Sequence, residues 1–230
     1  MYVLKELVAS PSMSIHWNIL DDERRALLPL FATFSTQGFY LAGGTGLALQ
    51  LGHRDSIDFD FFSERPFDAE LLAKELDTLF VGRTVTVTQL ENNTLSCVVG
   101  DNVQLSFMTY AYPLIEPLVC TDHFPLASIQ DIGCMKLSAI TSRSVEKDYV
   151  DLYQILQSID LSTLLSLSYK KHPALDEALI LKSLVYFDDV LREPILYKEG
   201  HQVTFERIKE FLTETVRNYI AEVQLKTKYT

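Results

Sequence analysis

Residues 41–62 read LAGGTGLALQLGHRDSIDFDFF. The end of this stretch, SIDFDFFS (56–63), alternates and is rich in aromatics, which predicts a β-strand. Successive side chains on a strand point to opposite faces. Ile57, Phe59 and Phe61 then face a core, and Asp58, Asp60 and Phe62 face the other way. Two carboxylates so placed repel and raise each other's pKa unless positive charge lies between them. A hard divalent cation on oxygen ligands meets that need, and Mg²⁺ favours one or two carboxylates completed by phosphate oxygens. Asp58 and Asp60 are therefore the candidate metal ligands.

Upstream, FYLAG (39–43) reads as a short buried strand and TGLALQLG (45–52) as a helix stopped by Gly52. Gly43 and Gly44 stand between them. Residues without side chains let an anion approach the backbone, and a helix start supplies N–H donors. Thr45 adds a hydroxyl. The pattern is neither GxxxxGK[ST] nor GxGxxG, since 43–48 read GGTGLA. Beside a DxD strand it suggests a phosphate cradle next to a metal site. The competing assignment is an ordinary tight turn with acids on a solvated edge strand. Edge strands, however, usually carry lysine or mixed charge among fewer aromatics.

The chain has 230 residues, 47% apolar, enough for one generous domain or a domain with an appendage. The net charge of −11 disfavours a broad non-specific nucleic-acid footprint without excluding a local basic pocket. Cys97, Cys120 and Cys134 have no CxxC spacing, which points to reduced thiols in a cytoplasmic protein. MYVLKELVASPSMS has no long apolar run, so no signal peptide is expected. No segment approaches the roughly 18 apolar residues of a membrane span.

Residues 21–37 have helical apolar spacing, with Asp21 or Asp22 as N-cap. Residues 68–79 read as an amphipathic helix. TVTVTQLE, TLSCVVG and NVQLSFMTYAY are β-rich runs separated by ENN and GDN turns. Helices are expected at 128–142, 146–158, 176–187 and 204–225. The order implies an α+β fold: residues 1–125 form a mixed β-sheet flanked by helices, and residues 126–230 a helical C-terminal region completing the active site.

GGT, a short helix and R-x-S-x-D-x-D (54–60) together resemble the polymerase-β-like nucleotidyltransferases. More closely they resemble the AbiEii/AbiGii toxin family of type IV toxin–antitoxin and phage-abortive systems. DIGCMKLSAITSRSVEKDYVDLYQIL (131–156) is similar to that family's lysine helix, arginine and K-D-x-x-D-L, and YFDDVLREPILY (186–197) also resembles members. The resemblance covers about residues 14–200. It implies a nucleotidyltransferase fold with Asp58 and Asp60 binding the Mg²⁺ of a nucleoside triphosphate. Gly43, Gly44 and Thr45 would touch the triphosphate, and Arg54 and Ser56 belong to the same motif. Lys136 would contact phosphates, helped by Arg143 seven residues on along one helix face. Asp148 would assist the acceptor or metal. Asp151 could cap or pair with Arg143.

One departure concerns a third carboxylate, usual on a later strand in polymerase-β-like enzymes. The matching strand here, 102–113, puts Gln104, Ser106 and Met108 on one face, with Ser106 at the expected position. The expected function is a Mg²⁺-dependent nucleotidyltransferase toxin acting on an RNA or protein acceptor, with a cognate antitoxin protein and no membrane. Alternatives with the same site are a nucleotide-binding protein acting through a partner, and a kinase. His16 and His53 lack partners at metal spacing, and Asp188–Asp189 reads as a solvated helix face.

Overall fold

The alternation in DFDFFS forms β2 (Asp58–Ser63), the strand around which the first half is organised. The structure, a computed structural model, describes residues 14–228. The expectation about a leader falls in 1–13, outside the described residues. The chain divides between Ser128 and Ile129 into two compact units.

The first unit holds a five-stranded sheet in the order β1-β2-β5-β4-β3. β1 (Tyr40–Leu41) pairs antiparallel with β2, and β2 pairs parallel with β5 (Val103–Thr109). β4 (Thr94–Val99) and β3 (Val85–Glu91) continue antiparallel beyond β5. This is the mixed sheet expected from the sequence. Phe59, Phe61, Leu95, Cys97, Leu105 and Phe107 are fully buried on one face. The Phe31 ring lies 4.9 Å from Phe59 and 5.5 Å from Phe61, and Phe34 lies 5.0 Å from Phe61. Each buried phenylalanine contributes roughly 1.5–3 kcal/mol. A one-residue slip of β2 would carry both aspartates into this layer. The phenylalanines therefore fix the register that turns the acids outward.

Two expectations need correction here. Ile57 is 51% exposed, because β2 begins one residue later, at Asp58. The helix expected over 21–37 is broken into α1 (Asp22–Leu27), a 3₁₀ turn at Leu28–Phe31 and α2 (Ala32–Thr36). Pro29 in that turn has no N–H to continue the α-helical ladder. Asp21 is the N-cap of α1, accepting from the Arg24 N–H at 2.9 Å. α3 (Gly43–Leu51) takes both glycines into its first turn and ends at Gly52, whose φ is +65°. α4 (Ala69–Leu79), capped by Asp68, covers part of the core face beside β3 and β4.

The second unit is helical: α5 (Ile129–Ile140), α6 (Glu146–Ile155), α7 (Leu161–Lys171), α8 (Glu177–Leu184) and α9 (Phe205–Lys228). α7 has no counterpart in the expected helices. Gly133 lets it approach α5, since a Cβ there would lie 2.8 Å from Leu164 Cδ1. The fully buried Lys171 and Asp131 pair at 2.7 Å between the same two helices. Asp188 and Asp189 lie in a turn, not on a helix, because α8 ends at Leu184.

Candidate functional site

The glycine turn and the acidic strand meet within the first unit. The Ala42 N–H donates to the Asp60 carbonyl at 3.1 Å, fastening the start of α3 to β2. Gly43 has φ +62°, a left-handed conformation that favours glycine. A Cβ at Gly43 would stand 2.6 Å from Asp60 Oδ2, and one at Gly44 would collide with the Arg54 guanidinium. The two glycines are thus needed for close packing against two charged groups. α1, α4, α7 and α8 are each capped by an aspartate side chain, whereas Ala42 at the N-cap of α3 offers none. The first amides of a helix lack intrahelical partners, and an anion can take the place of a cap.

Thr45 is turned inward. It is 1% exposed, and its hydroxyl bonds to the Asp58 carbonyl oxygen and lies 2.7 Å from Ser56 Oγ. A hydroxyl has one proton and the carbonyl only accepts, so Thr45 donates to Asp58 and Ser56 donates to Thr45. Both side chains brace β2 against α3. Arg54 is 3% exposed and donates from Nη1 to the Asp55 carbonyl at 3.1 Å.

Asp58 and Asp60 are half-buried and lie on the sheet face opposite the core. Strand register extends each into a row. Asp60 is beside Ser106 of β5, then Ser96 of β4 and Gln89 of β3; Asp58 is beside Gln104, Val98 and Thr86. Ser106 therefore lies next to Asp60, on the strand where a third carboxylate was expected from the resemblance to polymerase-β-like enzymes. Among the described residues, no group of three or more His, Cys, Asp or Glu side chains is arranged to hold a metal. Two hard oxygen donors without a protein cage still fit Mg²⁺, which takes its other ligands from phosphate and water. Farther along this face, Phe62 packs against Tyr40 and Tyr110 at ring separations of 6.2 and 5.7 Å.

Lys136, Arg143 and Asp148 meet within the second unit. Lys136, 6% exposed, pairs with Asp148 at 2.7 Å and Asp151 at 2.6 Å. Arg143 donates to the same Asp148 through Nε at 2.8 Å and Nη2 at 3.1 Å. Arg143 does not share a helix face with Lys136, because α5 ends at Ile140 and the arginine follows in the turn. Burial would raise the Asp148 pKa, but Lys136 and Arg143 outweigh it and hold the carboxyl below its ordinary range. Asp151 pairs with Lys136, a contact the sequence reading missed; their separation of fifteen residues across two helices gave no local signal. Lys171 and its buried pairing with Asp131 were also missed. His53 is buried, and a Cβ at Gly52 would stand 2.6 Å from His16 Nδ1, so that histidine packs on the end of α3. All three cysteines are free thiols. No helix among the described residues is long and apolar enough to cross a membrane.

The family model for the nucleotidyl transferase AbiEii toxin of type IV toxin–antitoxin systems matches residues 25–222. A protein of Aquifex aeolicus, described as uncharacterised, is 35% identical over 205 residues, 86% of this chain and 96% of its own. MenT4, a nucleotidyltransferase toxin from Mycobacterium tuberculosis, is structurally similar with a TM-score of 0.59 at 15% identity. That match covers 85% of this chain and 81% of MenT4. JHP933 from Helicobacter pylori gives a TM-score of 0.54 at 17% identity, covering 94% and 97% of the two chains. These two structures share the fold.

Proposed function

The chain belongs to the AbiEii nucleotidyltransferase toxin family, and from that premise we propose that it transfers a nucleoside monophosphate from a nucleoside triphosphate to an RNA or protein acceptor. It is a toxin-type nucleotidyltransferase. In our reading it works in the cytoplasm with Mg²⁺ and is restrained by a cognate antitoxin protein. The observation that carries the reading is the meeting of two same-face aspartates with an uncapped, glycine-opened helix start, Asp60 lying against Gly43.

In the proposed reaction an acceptor oxygen attacks the α-phosphorus and pyrophosphate leaves. Asp58 and Asp60 would hold the ion, which when bound supplies charge to offset that developing on the attacking and leaving oxygens. The first amides of α3 orient the phosphates, and Gly44 leaves room for the Arg54 guanidinium beside them. Thr45 and Ser56 act by holding β2 in place. Asp148 orients the Arg143 guanidinium, whose side chain is 59% exposed and suited to an anionic group. Its depressed pKa makes Asp148 a weak proton acceptor at neutral pH.

A second reading is favoured by Ser106 beside Asp60: nucleotide binding without rapid transfer. Incubation with Mg²⁺, each labelled triphosphate and either tRNA or total lysate decides between them. Label transfer or pyrophosphate release that disappears in Asp58→Ala plus Asp60→Ala supports the transferase. Transfer that survives the double substitution overturns the metal assignment. Binding without pyrophosphate release under every acceptor supports the second reading. Labelling from the γ-phosphate alone would make the protein a kinase.

A further inference from the structure

We infer that the outer edge of β3, with the groove at its end, docks an extended peptide segment carrying alternating basic and apolar side chains. β3 is the last strand of the sheet and seven residues long. Among the described residues it pairs with β4 alone, and no other backbone bonds to its outer side. Its sequence, VTVTQLE, has neither the lysine nor the proline that commonly blunts an edge.

The bulge between Val87 and Gln89 has a specific effect. It keeps Val87 opposite Cys97 and Leu90 opposite Leu95, so both stay on the core face. Cys97 and Leu95 are fully buried, whereas Val87 is 43% and Leu90 47% exposed. The core layer thus runs out beyond the cover of α4 to the edge, where both side chains are half-exposed. At the end of β3, a groove of about 800 Å³ runs between the β3–β4 turn and the start of α4. Phe67 and Leu90 line it together with the carboxylates of Asp68, Glu70 and Glu91, and no lysine or arginine does. The Asn93 side chain accepts from the Phe67 N–H at 3.0 Å, tying one wall to the other.

Open strand hydrogen bonds, half-exposed apolar side chains at Val87 and Leu90 and an acidic border match a partner that adds a strand. A second copy fits poorly, because each copy carries a net charge of −11. The occupant is therefore a cationic segment of another protein. These residues are separate from Asp58 and Asp60, so the inference stands or falls independently of the proposed reaction.

The test uses the full chain and three synthetic octapeptides, alternating Lys–Val, Glu–Val and Lys–Gly. Amide exchange across residues 85–91 is followed by mass spectrometry. The expected result is saturable binding of Lys–Val with at least about tenfold slower exchange confined to β3 and the groove. Glu–Val and Lys–Gly should leave exchange unchanged, and Glu70→Lys plus Glu91→Lys, both on exposed positions, should transfer the preference to Glu–Val. Equal protection by Lys–Gly, protection spread over the whole surface, or no protection by Lys–Val would overturn the proposal. So would slowed β3 exchange that tracks self-association without peptide.

Discussion

Replacing Gly43 by alanine tests whether the glycine turn and the acids form one site. Two costs arise. A left-handed φ of +62° costs an L-residue about 1–2 kcal/mol. The new methyl carbon would also stand 2.6 Å from Asp60 Oδ2, so the carboxylate must retreat by about 0.8 Å to reach ordinary contact at 3.4 Å. Misplacing a reacting group by about 1 Å costs on the order of a hundredfold in rate. Gly38 supplies the control: its φ is +86° and nothing lies within 4 Å of a Cβ there. Gly38→Ala should lose the same backbone term in urea unfolding and keep full transfer per folded molecule. Gly43→Ala should lose about ten- to a hundredfold in Mg²⁺-dependent nucleotide binding or transfer, beyond its loss of stability. Equal destabilisation of both variants, with unchanged nucleotide affinity in Gly43→Ala, would refute the coupling of the turn and the two aspartates.

Lys136→Met leaves Asp148 and Asp151 buried without their shared cation and should cost about 3–5 kcal/mol in chemical denaturation. Arg143→Gln, at an exposed position, should cost under about 1 kcal/mol. Thr45→Val removes the hydroxyl that holds Asp58 and should lower stability by about 1–2 kcal/mol, while Thr45→Ser restores it; a nucleotide affinity that falls without loss of stability would instead make Thr45 a phosphate ligand. Burial, then the Lys171 charge, pushes the His172 pKa down to about 4. The unfolded chain binds a proton near the ordinary value of 6.5 that the folded chain refuses, so stability falls as pH drops from about 6.5 to about 4 and levels below that. His172→Gln should flatten that slope by on the order of 2 kcal/mol in thermal or urea unfolding.

Much of the first unit was legible because its decisive signal is local. Phe59 and Phe61 against Asp58 and Asp60 is a period-two pattern, and β4 and β5 alternate in the same way. Alternation puts Ser106 on one face with Gln104 and Met108, but its register beside Asp60 is set by the pairing of β2 with β5, which alternation does not show. Ile57 was misassigned because alternation does not say where a strand starts. Apolar spacing predicts one straight helix through Pro29, although the hydrogen bonds do not continue there. α7 was overlooked: its serines dilute the apolar stripe, although Asp160, Ser162 and Thr163 form a capping cluster at its start. The knot of Lys136, Asp148 and Asp151 was beyond reach, since the choice of partner for a buried lysine is made by how helices pack. The inward turn of Thr45 was likewise hidden, because a threonine after two glycines reads the same whether its hydroxyl meets a phosphate or a neighbouring carbonyl.

The parallel pairing of β2 with β5 also sets an order of assembly. β3, β4 and β5 are joined by short turns and can pair as soon as they exist, whereas Asp58 of β2 waits for Gln104, 46 residues on. Closing the longer loop costs more entropy and comes later. A nascent chain that has emerged only through β4 carries the glycine pair and both aspartates, yet lacks the neighbour that holds their strand in line. The pairing that lines up the two aspartates is therefore withheld, by topology alone, until β5 has emerged through residue 109.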